Sequence, residues 1–398
     1  MQRDFQIAIV GGGLAGLTAA LSLSRLGFET AIISPSPPPG YIDYRTSALL
    51  PSSVRFLQSL DLWTEIEDQA QPFWTMRLID DSAATRGAGA VTDFTSQEVG
   101  DEPLAYNIPN AALQQALLKK LADTDITFIN AALLQTDFSD RRAIKLSNGE
   151  TVMSDLVVAA DGRHSLCRKQ SSIYCHQVSG GQFAVTAQLK HSKPHDAIST
   201  EFQRRGGPFT LVPMRGDQTS LVWIEPEETG AKLAKLSKQE LTIQIQRRTR
   251  GHLGKIELLS KPQGFPIQSQ VAQKFYAPRL ALIAEAAHVL PPTGAQGLNL
   301  SLTDVATLAD ILSTEIALSE DPGSEAGLAL YESRRLPDVL ARFGFSNSLN
   351  FLTAAQSSFG QGVRKAGLSL LRTAPPIKRQ LMKLGLQPVG YIPTTMRL

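Results

Sequence analysis

The sequence predicts an α/β protein: a parallel-sheet domain, an antiparallel sheet inserted into it, and a helical region at the C-terminal end. Three observations carry this. Residues 5–24, FQIAIVGGGLAGLTAALSLS, change from strand period to helix period across a glycine cluster. Between about 177 and 270 the segments TAQLK, STEFQRR, FTLVPMR and SLVWIEP alternate as half-buried strands do. Residues 339–398 contain no Asp or Glu.

The bulk numbers agree. A chain of 398 residues, 42% hydrophobic and 19% charged, suits a globular protein of two domains, or of one domain with an insertion. Its two cysteines, Cys167 and Cys175, exclude a disulfide framework and suit a reducing compartment. With His164 and His176 they lack the spacing of a metal-ligand set, and no metal is expected. The charge is uneven. Arg342, Arg364, Lys365, Arg372, Lys378, Arg379, Lys383 and Arg397 make the last sixty residues +8, which leaves −6 for the rest of a chain whose total is +2. Such a tail calls for an anionic partner, and no nucleic-acid-binding motif accompanies it.

The first element is a buried strand, Phe5 to Val10, followed by Gly11-Gly12-Gly13-Leu14-Ala15-Gly16, an Ala/Leu helix, and a second strand in ETAIIS. This is GxGxxG in the context it needs. Gly11 makes the turn, Gly13 lets the backbone approach a pyrophosphate, and Gly16 lets the helix pack on the strand. The helix N-terminus then faces the phosphates. FAD, NAD or simply another α/β protein with a glycine turn all remain open at this level. The acid that usually ends the second strand and holds the ribose is replaced by Ser34. The same pattern explains why the uncharged run is no membrane span.

Two later stretches matter. Residues 155–165, DLVVAADGRHS, read as a strand and an Asp-Gly turn, and 282–300, LIAEAAHVLPPTGAQGLNL, as a strand, a stiff uncharged loop and a helix start. Each alone is ordinary. In this order, with DYRTSALLPSSVRFLQSLDLW, NAALQQALL, HDAISTEFQRRGGPFTLVP, SLVW, GFPIQSQVA and YESRRLPD, they cover nearly the whole chain. Together they resemble the single-component FAD-dependent aromatic hydroxylases, in the branch acting on polyprenylphenols of ubiquinone biosynthesis.

The resemblance implies a Rossmann-like FAD-binding domain with an inserted antiparallel-sheet substrate domain and a C-terminal helical region. The FAD-binding domain takes 1–75, 101–176 and 271–338. The substrate layer takes 76–100 and 177–270, and the basic helical tail 339–398. It implies FAD on Gly11, Gly13, Leu14, Ala15, Gly16 and Ser34. Arg45 stands near the phosphates or the ring, Asn110 touches FAD, and Asp161 serves FAD and nicotinamide. Glu285 stands for the usual ribose-binding Asp of a Gly-Asp pair, here Ala284-Glu285. Pro292, Gly294, Ala295, Gln296, Gly297, Leu298 and Asn299 line the isoalloxazine.

The chemistry implied is a monooxygenation. NAD(P)H, binding transiently, reduces FAD, O₂ adds as the C4a-hydroperoxide, and one oxygen passes to a phenol ring. His288, Pro292 and Arg45 are the catalytic candidates, though no acid partner for His288 is identifiable from the sequence. Phe202, Leu211, Pro213, Met214 and Trp223 are the substrate-pocket candidates, with core filling as the alternative for each.

In the tail, LSLLRTAPPIKRQLMKLGL at 368–386 reads as basic and amphipathic, broken by Pro375-Pro376. It suits the surface of an inner membrane or other quinone-synthesis proteins. The expected protein is thus cytoplasmic and peripheral to the inner membrane, its oligomeric state open. Two other functions stand beside this one. One is a hydroxylase of a small soluble phenol or benzoate, using Arg204, Arg205 or Arg215 for a carboxylate. The other is a degenerate flavoprotein scaffold, motivated by Ser34 and Glu285.

Overall fold

The computed structural model describes residues 2–37, 42–81, 91–137, 142–204, 206–292, 294–318, 321–354 and 373–398. The strand Gln2–Val10 lies between Thr30–Ile33 and Thr151–Ala159, parallel to both, and Leu280–Leu282 and Thr127–Ile129 continue the parallel order outward. Ile7, Ala8, Ile9, Ala31, Ile32, Val157 and Val158 are all buried, as expected of strands covered on both faces. The helix Leu14–Ser24 packs between the helices Asn110–Ala122 and Gln296–Leu318. All the phosphate-loop elements thus sit on one rigid layer.

The inserted sheet is mostly antiparallel. Its order runs His288–Val289, Gln263–Ala272, Cys175–His191, Gln218–Pro226, Gly207–Met214, Ile198–Arg204, Thr75–Asp80, Val91–Thr95. Thr75–Asp80 joins this sheet in parallel to Ile198–Arg204. Some assigned boundaries fall inside elements. Cys175–His191 runs through 176/177, Gln263–Ala272 through 270/271, and the helix Glu325–Ala354 through 338/339. The physical reason is that His288–Val289, just before the stiff loop, pairs with Gln263–Ala272. The two layers are stitched together at that loop.

The sheet has two unlike faces. Opposed residues share a face, so Phe209, Trp223 and Val185 lie together, as do Leu211 and Leu221. With Phe202 they pack under Leu233, Leu241 and Ile245 of the helices Glu227–Leu233 and Lys238–Arg248. Each such side chain contributes roughly 1.5–3 kcal/mol on burial. The other face carries Thr186, Gln188, Thr210, Val212, Ser220 and Val222 and turns toward the parallel domain. There Val212 packs with Leu50, Phe73, Leu104 and Met382.

Met382 belongs to the helix Pro375–Leu386, which Pro375 opens at its first position, where a missing N–H costs nothing. Thr373 is helical, Ala374 is not, and the new helix starts at Pro375, so the stretch is broken at the proline pair as expected. Residues 355–372, including the first part of the 368–386 stretch, lie outside the described residues. Among the described residues, no helix is long and apolar enough to cross a membrane.

Candidate active site

The glycine loop fits a pyrophosphate. Gly13 caps the helix Leu14–Ser24 with no side-chain partner, leaving the first-turn N–H groups to a ligand. A Cβ on Gly13 would meet nothing within 4 Å, whereas one on Gly16 would lie 2.0 Å from the Gly11 carbonyl oxygen. The loop is thus closed against the protein and open on one side. Ser34 stands beside it: a Cβ on Gly12 would approach the Ser34 hydroxyl to 2.8 Å. Ser34→Glu is expected to tighten FAD by about 10–150-fold, the worth of one charged hydrogen bond, measurable by flavin fluorescence titration.

Asp161 follows directly on Ala160, whose carbonyl a Gly11 Cβ would strike at 2.2 Å. Its Oδ2 accepts from the N–H groups of Leu166 and Cys167 at 2.8 and 3.1 Å. Its Oδ1 is buried with no partner among the described residues. An orphan acceptor in that position suits a hydroxyl or water of bound FAD. Glu285 lies in the turn after Ala284, which adopts φ 54°. Its half-exposed carboxylate is 3.5 Å from Arg163, so the extra methylene relative to Asp reaches toward a cation. Gln270 fixes this pair by donating to the carbonyls of Arg163 and Glu285.

Arg45 is held by a bidentate pair with Asp43, both contacts at 2.8 Å. Asn110 donates to Asp43 at 3.2 Å and accepts from Ser47 at 2.7 Å. Asn110 therefore orients Asp43, which orients Arg45. Burial pushes the Asp43 carboxyl up, but Arg45 and Asn110 outweigh it and hold it below its ordinary range. The strand Thr46–Leu49 then crosses the cleft. Thr46 bonds Ser220 of the inserted sheet at 2.8 Å. Asn299 takes the Leu50 N–H at 2.9 Å and donates to the carbonyls of Ala48 and Ala295.

In the stiff loop, Gly294 and Ala295 both adopt left-handed φ, 67° and 57°. Such strain in a non-glycine residue marks a site held by its surroundings. Pro292, Gly294, Ala295 and Gly297 are exposed and Leu298 half-buried, which leaves an uncharged rim of main chain for a flat ring. Thr293 lies outside the described residues. The helix begins at Gln296, two residues before Leu298, and Gln296 is buried between the Gly294 carbonyl and Arg342.

His288 has an acid partner after all. It is buried and its Nε2 lies 2.6 Å from Asp304, which also accepts from Arg335 at 2.8 Å and from the Ala284 N–H at 2.9 Å. Arg335 continues to Asp338, and Asp338 to Arg342. His288 is thus engaged in a buried network that ties the Glu285 turn to the YESRRLPD helix.

The substrate candidates need correction. Phe202, Leu211 and Trp223 fill the core under the outer helices, and Pro213 shares the face of Leu211. Their size is the cause: large apolar side chains are claimed by the layer that can bury them completely. Met214 alone is on the inner side, at a strand end. Glu201, Thr210, Val212, Ser220 and Val222 lie on that same inner face. Alternation showed two faces without saying which one the cofactor domain covers.

Fold and site together define an FAD-dependent monooxygenase, an enzyme whose class takes electrons from NAD(P)H and oxygen from O₂. The family model described as FAD binding domain matches residues 4–343, and the chain belongs to that family. It is 31% identical to "Ubiquinone hydroxylase UbiL" of Rhodospirillum rubrum, over 98% of this chain and 92% of the relative. It is 28% identical to "3-demethoxyubiquinol 3-hydroxylase" of Escherichia coli, over 96% and 98%. Among solved structures, Klebsiella pneumoniae R204Q HpxO complexed with FAD shares the fold with a TM-score of 0.77 at 18% identity, over 96% and 99% of the two chains.

Proposed function

We propose that this chain hydroxylates the aromatic ring of a polyprenylphenol intermediate in ubiquinone biosynthesis. The observation that carries it is the end-to-end likeness to ubiquinone hydroxylases, at 31% identity for the first of them. The inner face of the sheet agrees, with Val212 and Val222 on it and Met382 closing one side. Of the arginines considered for a soluble benzoate, Arg204 pairs with Asp81 and stacks on Phe202 on the outer face, and Arg215 is exposed and donates to the Glu67 carbonyl. Arg205 lies outside the described residues.

Bound FAD supplies the hard chemistry, activating O₂ after reduction by NAD(P)H. The protein supplies position and dryness. Gly11 through Gly16 hold the pyrophosphate, with Ser34 and Glu285 at the ribose contacts and Asp161 beside the loop. The strand Thr46–Leu49 and the loop at 291–297, locked to each other by Asn299, hold the ring against main chain. With FAD bound, Arg45, paired with Asp43, would stand near the ring and Pro292 would line it. The helix starting at Gln296 would offer its N-terminus to negative charge on the ring. Val212, packed with Leu50, Phe73 and Met382, helps to exclude water from the transfer.

The tail brings the enzyme to its substrate. On the helix Pro375–Leu386, Ile377 and Leu384 are exposed one heptad apart, with Arg379 and Lys383 also exposed. Leu340 and Phe345 of the preceding helix are exposed as well. This surface docks on the cytoplasmic face of an anionic inner membrane, where a prenylated phenol resides. Arg379→Glu with Lys383→Glu is expected to weaken partition onto vesicles of anionic phospholipid by about 30-fold or more, at roughly 1 kcal/mol per basic residue. Equal flotation of the variant would remove this role for the tail.

The function itself is tested by mass spectrometry of the quinone pool in a strain lacking the gene and grown in air. A prenylphenol one oxygen short, with ubiquinone depleted, is the expected result.

A further inference from the structure

Glu201 is a titratable group that the reading above leaves unused. It lies on the strand Ile198–Arg204, directly opposite Thr210, which is opposite Val222. All three face the cofactor domain, one row along from Val212 and Ser220. Ser220 is bonded to Thr46 beside the ring site at 2.8 Å. Two strand spacings and one two-residue step put Glu201 roughly 12 Å from Ser220 across the sheet. A phenol occupying the cleft over this wall would have Glu201 on the same face as Thr210 and Val222.

The side chain is held and aimed by neutral groups. Thr210 donates its hydroxyl to Oε2 at 2.9 Å, and Gln203 donates its amide to Oε1. A carboxylate accepts about four hydrogen bonds, so two lone pairs remain. Among the described residues no Lys or Arg forms an ion pair with Glu201. Burial therefore dominates and pushes its carboxyl up, against the pull of Thr210 and Gln203. A carboxylate held here by neutral groups alone, with no cation paired to it among the described residues, is costly. A Gln or Met would fill the space more cheaply, which argues that the carboxylate is kept for an O–H donor.

We propose that Glu201 receives the ring hydroxyl of the substrate and takes its proton during oxygenation. The inference rests on the phenol-hydroxylase reading above. The phenol O–H bond breaks, and its proton passes to the Glu201 carboxylate. The electron pair left on oxygen enriches the ring, whose carbon forms a C–O bond to the oxygen atom supplied by the monooxygenase reaction. The proton on that carbon leaves to water as the ring re-aromatises, and Glu201 returns its own proton to the first oxygen. Overall, phenol, O₂, NAD(P)H and a proton give dihydroxyarene, NAD(P)⁺ and water. Rate gains of about 10²–10⁴ are usual for such a base.

The test uses full-length enzyme, a short-chain prenylphenol, its ring-fluorinated analogue with a more acidic hydroxyl, and its methyl ether. Glu201→Gln is expected to keep its flavin spectrum, to lose about 10²-fold or more in hydroxylation, and to recover at least about tenfold on the fluorinated phenol, relative to wild type. In equilibrium binding, wild type should prefer the phenol to its ether about tenfold, the worth of one hydrogen bond. Hydroxylation by Glu201→Gln within about threefold of wild type, or a loss that the acidic phenol leaves unchanged, overturns the proposal. Should the variant lose FAD, the binding comparison on wild type decides, because equal affinity for phenol and ether overturns the proposal without any variant. A wild-type enzyme that hydroxylates no prenylphenol overturns the parent reading, and this one with it.

Discussion

Gly13→Val is expected to abolish FAD binding while the apoprotein stays folded. Gly13 has φ −76° and ψ 175°, an extended conformation that valine adopts readily, and a Cβ there meets no protein atom within 4 Å. The added methyls instead occupy the space over the helix N-terminus, where the pyrophosphate must sit. Lost phosphate hydrogen bonds at about 1.5–3 kcal/mol each put the affinity down by about a hundredfold or more. Gly16→Val is the contrasting control. Its Cβ falls 2.0 Å from the Gly11 carbonyl oxygen, so it damages the fold itself. Flavin content and far-ultraviolet circular dichroism separate the two. A Gly13→Val protein that retains yellow FAD would show that the loop is not the phosphate site.

Asp304→Asn should give the largest loss of stability. Asp304 is fully buried and receives His288, Arg335 and the Ala284 N–H. Burial pushes its carboxyl up, but His288 and Arg335 outweigh that and hold it below the ordinary carboxylate range. Removing the charge leaves Arg335 buried with Asp338 alone, which also serves Arg342. Breaking a buried pair in this way costs about 3–5 kcal/mol, or about 4–6 °C in melting temperature for a chain of this size.

The sign with pH follows. A carboxyl with a depressed folded-state value contributes stability above about pH 4, its unfolded value. That stability is lost as pH falls through the depressed value. Wild type should therefore lose stability in acid faster than Asp304→Asn does, and the two melting curves should converge at low pH. Equal slopes for the two proteins would show that Asp304 is not ionised in the fold.

The glycine loop, the Asp-Gly turn and the stiff proline loop were legible because each is local. Their spacing and small side chains are demanded by a phosphate or a flat ring, whatever surrounds them. The strands from Cys175 to Pro226 were legible too, since alternation is a property of the chain. The side chain of Asn110 bonds Asp43, the partner of Arg45, and Ser47. Nothing in NAALQQALL reports a partner 67 residues away.

By itself, the sequence determined that this chain builds a nucleotide-binding α/β domain with an antiparallel sheet inserted, and that its cofactor loop is uncharged. Backbone geometry and side-chain period are encoded within a few residues of each other. Only the tertiary structure decided which sheet face became the wall of the site. It also joined His288 to Asp304 across sixteen residues and set Met382 of the tail against Leu50 and Phe73. Phe202, Leu211 and Trp223 went to the outer helices, which bury them fully. The smaller and more polar Glu201, Thr210 and Ser220 were left to face the cleft, because burial energy is settled by what packs on each face.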